Sequence, residues 1–119
     1  MPVPPLAGDA LLDAVTASMV AFHERYHHRA PVHARTLLMG NDLLVCVLGG
    51  VYTAVEQTLI EVQRGPIVNA ARSAFQDGMQ DRLIGEVERL SGRRVILFFS
   101  DSHIGPDVEI EVFLLAPAG

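Results

Sequence analysis

Two apolar runs in the sequence are too continuous for a sheet that has one face in water. They are LLVCVL, residues 43–48, and RVILFF, residues 94–99. Successive side chains of a strand point to opposite faces, so a half-exposed strand alternates apolar and polar residues. The two runs therefore predict a sheet that is apolar on both faces, with both faces covered.

Each run has a neighbour with which it can form a hairpin. Residues 34–39 and 43–48 flank the tripeptide Gly40-Asn41-Asp42, and Gly and Asn tolerate the positive φ of a tight hairpin turn. RRVILFFS (93–100) and DVEIEVFLL (107–115) flank a loop that turns at Gly105-Pro106. In the last segment Val108, Ile110 and Val112 alternate with Glu109 and Glu111.

The chain before the first hairpin predicts one long helix, over residues 9–28. Leu12, Val15, Met19, Phe22 and Tyr26 recur at spacings of three and four, which is the period of one helix face. Asp9 is the predicted N-cap. Pro31 disfavours helical geometry at the residue before it, so the helix is expected to end upstream of it.

Two more helices are predicted between the hairpins. Thr53 and Glu56 have the spacing of a capping box, in which each side chain bonds the backbone N–H of the other residue. We expect Gly65-Pro66 to stop this short helix. A second apolar stripe then continues at helical spacing from residue 68 to residue 90, and Gly92 is the predicted C-terminal cap.

The element order is α-β-β-α-α-β-β, which predicts a two-layer α+β fold. Its four-stranded antiparallel sheet comes from two hairpins, with three helices on one face. We expect residues 1–8 to form a flexible Pro-rich tail and residues 9–116 to form a single domain. Because three helices are few for a sheet with two apolar faces, we predict a homodimer in which a second subunit covers the other face.

Composition excludes several classes of protein. The net charge is −5 and the chain contains no lysine, so a basic surface for nucleic acid is not expected. The single cysteine, Cys46, lies in an apolar run, and we predict that its thiol is buried. No secretion signal and no apolar stretch of about 20 residues is present, so we predict a cytoplasmic protein with no direct membrane span.

The segment HERYHHRAPVH, residues 23–33, resembles a zinc-protease signature. Its H-E-x-x-H spelling would give metal ligands at His23, His27 and His33, with Glu24 as the base. However, Ala30 stands where the long motif needs a glycine, and too few residues precede His23 to form the substrate-binding sheet. We therefore interpret these histidines as structural or solvent-facing residues, with His23 and His27 on the flank of the apolar stripe, and keep a metal site at these histidines as the alternative.

No cofactor or catalytic residue is predicted. The SDSH segment, residues 100–103, lacks the fold context of a hydrolase triad and is interpreted as a loop. Arg35 and Arg72 are expected to form ion pairs with carboxylates such as Glu56 or Asp101 at the edge of the core. A site for an anion, or an interface, at Arg35, Thr53, Glu56, Arg72 and Asp101 is the alternative interpretation.

The chain also resembles a known family over about residues 12–115. The segments that carry the resemblance are ERYHHRAPVHARTLL, NDLLVCVLGGVYTAVEQTLIE, NAARSAFQDGMQDRLIGEVERLSGRRVILFFSD and PDVEIEVFLL. They are similar to the small bacterial MpsC family, described as part of a sodium-translocating, membrane-potential-generating system. The shared features include the Thr53/Glu56 pair, Arg72 and Asp101. Family members have a Gly-rich turn before the proline, where this chain has HHRAP.

The resemblance implies a function beside a membrane complex. We hypothesise a non-catalytic accessory or regulatory component of a bacterial cation-translocating system, which meets the inner face of the membrane through a partner. The alternative is a small sensor or enzyme that binds a metal at His23, His27 and His33, or an anion at Arg35 and Arg72.

Overall fold

The computed structural model describes residues 4–117 and contains the predicted elements in the predicted order. The helices and strands are α1 (Gly8–His27), β1 (His33–Met39), β2 (Leu43–Gly49), α2 (Ala54–Glu61), α3 (Gly65–Ser91), β3 (Val95–His103) and β4 (Val108–Leu115). The prediction of a four-stranded antiparallel sheet with three helices is confirmed. The interpretation of residues 100–103 as a loop is wrong, because all four residues pair with β4 as the end of β3. None of the helices within residues 4–117 has the length and apolar character needed to cross a bilayer.

The strands lie in the order β1-β2-β4-β3, and every neighbouring pair is antiparallel. The two hairpins of the sequence therefore meet through β2 and β4, which form the middle of the sheet. Register in the first hairpin places Thr36 opposite Cys46, and Cys46 is in turn opposite Glu111 of β4. This register aligns one inward-facing row of side chains across the sheet.

The hydrophobic core lies between α1 and α3 on one side and the helix-facing side chains of β2 and β4 on the other. β2 contributes Leu44, Cys46 and Leu48, all fully buried, and β4 contributes Phe113 and Leu115. The buried residues of α1 are Leu11, Val15, Met19 and His23. These four recur at intervals of four, one residue out of phase with part of the predicted stripe.

No helix within residues 4–117 covers the opposite face of the sheet, and apolar side chains lie exposed on it. The largest of them are Phe99, which is 63% exposed, Met39 at 54% and Leu97 at 49%. On β4 the apolar Ile110 is exposed, whereas Glu109 and Glu111 are buried beneath the helices. We call this helix-free side the open face.

The start of α1 differs from the prediction. The helix begins at Gly8 with Ala7 at the N-cap position, and no side chain caps it. The prediction that Asp9 is the N-cap is therefore wrong. Asp9 lies in the first turn, where a carboxylate interacts favourably with the positive end of the helix dipole. The helix ends at His27, before Pro31, as predicted.

The capping box at the start of α2 is confirmed. Thr53 Oγ1 accepts a hydrogen bond from the Glu56 amide at 3.2 Å, and the Glu56 carboxylate accepts one from the Thr53 amide at 3.0 Å. Gly65 and Pro66, by contrast, begin α3. Pro is tolerated there because the first-turn N–H groups of a helix have no intrahelical acceptor. Gly92 caps α3 with φ 64°, as predicted.

Asp107 ties the turn between β3 and β4 to the segment that leads into α2. Its two carboxylate oxygens accept hydrogen bonds from the amides of Val51, at 3.1 Å, and Tyr52, at 3.0 Å. The Tyr52 hydroxyl donates to the carbonyl of His103 at 2.8 Å. These bonds hold α2 at the end of the sheet where β2 stops.

The N-terminal segment packs against the domain near the end of α3. The Leu6 amide donates to the Leu90 carbonyl at 2.9 Å, and the Leu6 side chain packs against the core. Residues 1–3 of the predicted flexible tail lie outside the described residues. The domain boundary at residue 9 stays a prediction.

Candidate functional site

Charged and polar side chains are concentrated beneath the helices at one place in the core. They come from all three helices and from β4, and we call them the buried ionic cluster. Its members are His23, Glu56, Arg72, Gln76, Glu109 and Glu111. Burying charge is costly unless it is paired, so the contacts within this cluster decide what it can do.

Glu109 is the centre of the buried ionic cluster. One of its carboxylate oxygens lies 2.9 Å from Nε2 of His23, and the other accepts a hydrogen bond from the Gln76 amide at 3.2 Å. The Arg72 guanidinium lies 3.7 Å from the same carboxylate. Burial acts to raise the pKa of Glu109, but the hydrogen bond and charge of His23, with the charge of Arg72, outweigh it and lower the pKa.

Arg72 forms the strongest ion pair of the cluster, with Glu56. Its Nε and Nη2 donate to the two Glu56 oxygens at 2.7 and 2.8 Å. This is the bidentate geometry that suits a guanidinium and a carboxylate. The expected pairing of Arg72 with a carboxylate at the core is therefore confirmed. Burial acts to raise the pKa of Glu56, and the hydrogen bonds from Arg72 and Thr53 overcome it to lower the pKa.

Arg72 also packs against an aromatic ring. Its guanidinium carbon lies 5.0 Å from the centroid of Tyr52, which is a cation–π distance. The arginine thus links α3 to α2 through Glu56, to β4 through Glu109 and to the β2–α2 segment through Tyr52. Its side chain therefore holds four elements of the fold together.

Glu111 is the least satisfied member of the cluster. Its side chain is fully buried, and Oε2 has no hydrogen-bond partner among the described residues, as is also true of Ser100 Oγ across the β3–β4 pair. Burial, together with the nearby charge of Glu109, raises the pKa of Glu111 to about 9. The Glu111 carboxyl is therefore protonated at neutral pH.

The space beside the cluster is too small for a substrate. A cavity of about 10 Å³ lies between His23, Gln76, Glu109 and Glu111, closed by apolar side chains of α1 and α3. A cavity of that size holds about one water molecule. Proton binding is the chemistry that remains open to these residues without a rearrangement of the helices.

The three histidines of the alternative metal site are not brought together. His23 is buried at 5% exposure and contacts Glu109, which agrees with its interpretation as a structural histidine but places it in the core and not on the flank of the apolar stripe. The His27 ring lies beside it, with centroids 5.0 Å apart, and burial and the neighbouring His23 lower the pKa of His27. His33 lies on the exposed side of β1, across the sheet from His23. Within residues 4–117 no three His, Cys, Asp or Glu side chains are placed to hold a metal ion.

Arg35 and Asp101 lie on the open face, at opposite edges of the sheet. Both are exposed, and neither has an ion-pair partner within residues 4–117, so the expected ion pair of Arg35 at the edge of the core is wrong. The carboxylate of Asp101 accepts only the neighbouring Ser102 amide, at 2.9 Å. The predicted role of Arg35, Thr53, Glu56, Arg72 and Asp101 in anion binding or at an interface stays a prediction. Cys46 is buried as predicted, and burial raises its pKa to about 11.

Sequence reasoning missed Glu109, Glu111 and Gln76 as members of a site. The alternation of β4 separated the glutamates from Val108, Ile110 and Val112 but did not show which set faces the helices. A signal was present, because Phe113 and Leu115 have the same alternation phase as the two glutamates. Leu114, however, continues the phase of Val108, Ile110 and Val112, so the pattern of this strand alone did not decide which face points inward.

One comparison with known proteins gives a match. The family model described as Na+-translocating membrane potential-generating system (MpsC) matches residues 9–117, nearly the whole chain. No curated protein and no solved structure gives a match.

Proposed function

Because the chain belongs to the MpsC family, we propose that it is a non-catalytic accessory or regulatory component of a bacterial Na+-translocating, membrane-potential-generating system. In this proposal the protein is cytoplasmic, is a homodimer, and meets the inner face of the membrane through a protein partner. The observation that carries the proposal is the family match over residues 9–117.

The state of the polar residues supports a non-catalytic role. A catalytic group must reach its substrate, whereas His23, Arg72, Glu109 and Glu111 are each 5% exposed or less. Their hydrogen bonds join helices to the sheet, and the adjoining cavity of about 10 Å³ holds about one water. The cluster therefore serves the fold, with Glu111 as its one unpaired carboxyl.

The overall charge supports contact with the membrane through a protein. Anionic lipids of the cytoplasmic leaflet attract clusters of Lys and Arg. This chain has a net charge of −5 and no lysine, so a bare lipid surface repels it on average. A membrane subunit with a basic cytoplasmic surface is the partner that such a charge favours.

The proposal is tested by deleting the gene in its native bacterium. We expect a lower Na+-dependent membrane potential, measured with a potential-sensitive dye, and restoration by the wild-type gene. The His33→Ala variant is the discriminating one. It removes the exposed histidine of the alternative metal site, far from the buried ionic cluster, and should restore the potential as well as the wild type does.

Two further measurements separate the proposal from the alternative. In the wild-type strain the protein should sediment in part with membranes, and this fraction should fall when the membrane subunits are deleted. An unchanged potential in the deletion strain contradicts the accessory role. An equimolar metal in untagged protein, lost in His33→Ala, would instead favour the metal-binding sensor.

A further inference from the structure

The open face is apolar, although it is the face of the sheet in contact with solvent. In a sheet with one face in solvent, polar residues face outward. On β4 the two glutamates point into the core, while Ile110 and Val112 point to the open face. The neighbouring strands add Leu37, Leu97 and Phe99, which are 44%, 49% and 63% exposed. An apolar surface of this kind, continuous over four strands, marks an interaction site.

Among the described strand residues of the open face, the carboxylate and the guanidinium lie at its two edges. Strand register places Arg35 beside Val47, Val47 beside Ile110, and Ile110 beside Asp101. One row across the sheet therefore begins with a cation on β1 and ends with an anion on β3. Both charges are exposed, and within residues 4–117 neither is paired.

We propose that the open face is the interface of a twofold homodimer, in which Arg35 of each subunit pairs with Asp101 of the partner subunit. The axis runs parallel to the strands, between β2 and β4. This inference deepens the homodimer of the proposed function and is independent of the cation-transport role.

The geometry of the row selects this axis. Rotation by 180° about a line parallel to the strands exchanges the two edges of the sheet and keeps each row at its own level. It therefore lays β1 over β3 of the second copy, so that both ends of the charged row meet opposite charges. An axis across the strands would lay β1 over β1 of the second copy and bring no Asp101 near Arg35.

The next row fits the same arrangement. It contains Leu37, Val45, Val112 and Phe99. The rotation places Leu37 over Phe99 of the partner subunit and Val45 over Val112 of the partner subunit, so a large ring always meets a smaller side chain. Stacked sheets in proteins lie about 10 Å apart with their strands roughly aligned, which is the packing that such rows produce. A second copy of this chain is therefore the partner whose open face complements this one.

The first test is the mass of the untagged full-length protein by sedimentation equilibrium across the micromolar range. We expect twice the chain mass of 12.9 kDa. Phe99→Glu should give the monomer, because it places a buried unpaired charge in the interface, and its circular dichroism should match the wild type. Val55→Glu is the matched control, since Val55 is 70% exposed on α2, and it should leave the dimer unchanged.

A charge swap tests the pairing and the axis. Arg35→Asp and Asp101→Arg should each raise the dimer Kd at least about tenfold, because each creates two like-charge contacts by symmetry. The double variant should return the Kd to within about threefold of the wild type. Asp81→Arg, an exposed charge reversal on α3, is the control and should have no effect.

A monomeric mass over the whole range overturns the proposal, and then the open face belongs to another partner. A dimer that survives Phe99→Glu overturns it by placing the interface elsewhere. A dimer lost in Phe99→Glu but not restored by the double charge swap overturns the pairing and the axis. None of these results bears on the membrane-potential assay, so failure of the dimer and failure of the transport role are distinguishable.

Discussion

His23 of the first helix and Glu109 of the last strand form a buried contact of 2.9 Å, between residues 86 positions apart. The contact joins α1 to the middle of the sheet, and Gln76 and Arg72 of α3 meet the same carboxylate. One glutamate therefore holds both long helices to the sheet. Removal of this carboxylate should therefore destabilise the whole domain.

We predict that Glu109→Gln destabilises the protein by about 2–4 kcal/mol, because it leaves the charge of Arg72 less compensated in the core. The measurement is the urea midpoint at neutral pH, with Glu61→Gln on the exposed side of α2 as the control, for which we expect less than about 0.5 kcal/mol. Because the pKa of Glu109 is lowered in the folded state, the difference in free energy of unfolding between the wild type and Glu109→Gln is fully present at pH values above the ordinary pKa of a carboxyl. It should shrink as the pH falls through the lowered pKa of Glu109. Equal midpoints for the two variants would contradict the prediction.

Glu111 should produce the opposite pH dependence. Its pKa of about 9 lies above that of an unfolded glutamate, so between these values the folded state binds the extra proton. The contribution of Glu111 to the free energy of unfolding is greatest at acidic pH. It decreases as the pH rises toward 9, with a limiting slope of about 1.4 kcal/mol per pH unit.

Glu111→Gln is therefore expected to stabilise the protein by roughly 1–3 kcal/mol at pH 8 and to have little effect at pH 5. The Gln side chain has nearly the same shape and never needs to be protonated. Thermal unfolding of both proteins at several pH values gives the measurement. A variant that is less stable than the wild type at pH 8 would show that Glu111 is ionised and paired.

Thr53→Ala should lower the free energy of unfolding by about 0.5–2 kcal/mol, because it removes the hydrogen bond that Thr53 accepts from the Glu56 amide. Thr58→Ala is a matched control in the same helix, because the Thr58 hydroxyl bonds only the carbonyl of Ala54 on the exposed surface. That change should lie within about 0.5 kcal/mol of the wild type. The prediction fails if both threonine variants unfold at the same denaturant concentration.

The thiol of Cys46 should be nearly inert in the native protein. It is fully buried, and its pKa of about 11 leaves little thiolate at neutral pH. We expect modification by a thiol reagent to be at least about a hundredfold slower in the native state than in urea, since it requires opening of the domain. Gln80→Cys in a Cys46→Ala background provides the exposed control. Native reaction at a rate near that of the control would mean that the sheet opens readily.

Local signals in the sequence were enough to predict the elements of the fold. The capping box at Thr53 and Glu56, the Gly40-Asn41 turn and the Gly92 cap each depend on residues close in the chain, and each is present. Gly65-Pro66 was assigned to the wrong helix end, because Pro is equally compatible with the residues after one helix and with the first turn of the next.

The buried ionic cluster could not be predicted from local sequence patterns. His23 and Glu109 meet only because α1 packs beside β1 and α3 over the helix-covered face of the sheet, which depends on packing between distant elements. The predicted stripe passed through Phe22 and Tyr26 and left His23 on its flank, whereas the buried residues of α1 include His23. A polar residue beside an apolar stripe is ambiguous until its partner is known. Strand order was open for the same reason, since two hairpins can join at either pair of edges.

The location of α2 at one end of the sheet has a consequence for binding geometry. α2 begins just after β2 ends and is held there by the pairing of Glu56 with Arg72. In the proposed homodimer, a twofold axis parallel to the strands exchanges the sheet's edges but not its ends, so both copies of α2 would lie at the same end. Val55 and Val62, at 70% and 57% exposure, would then be presented twice at that end. A receptor with two matching sites would be held with the avidity of a bivalent ligand.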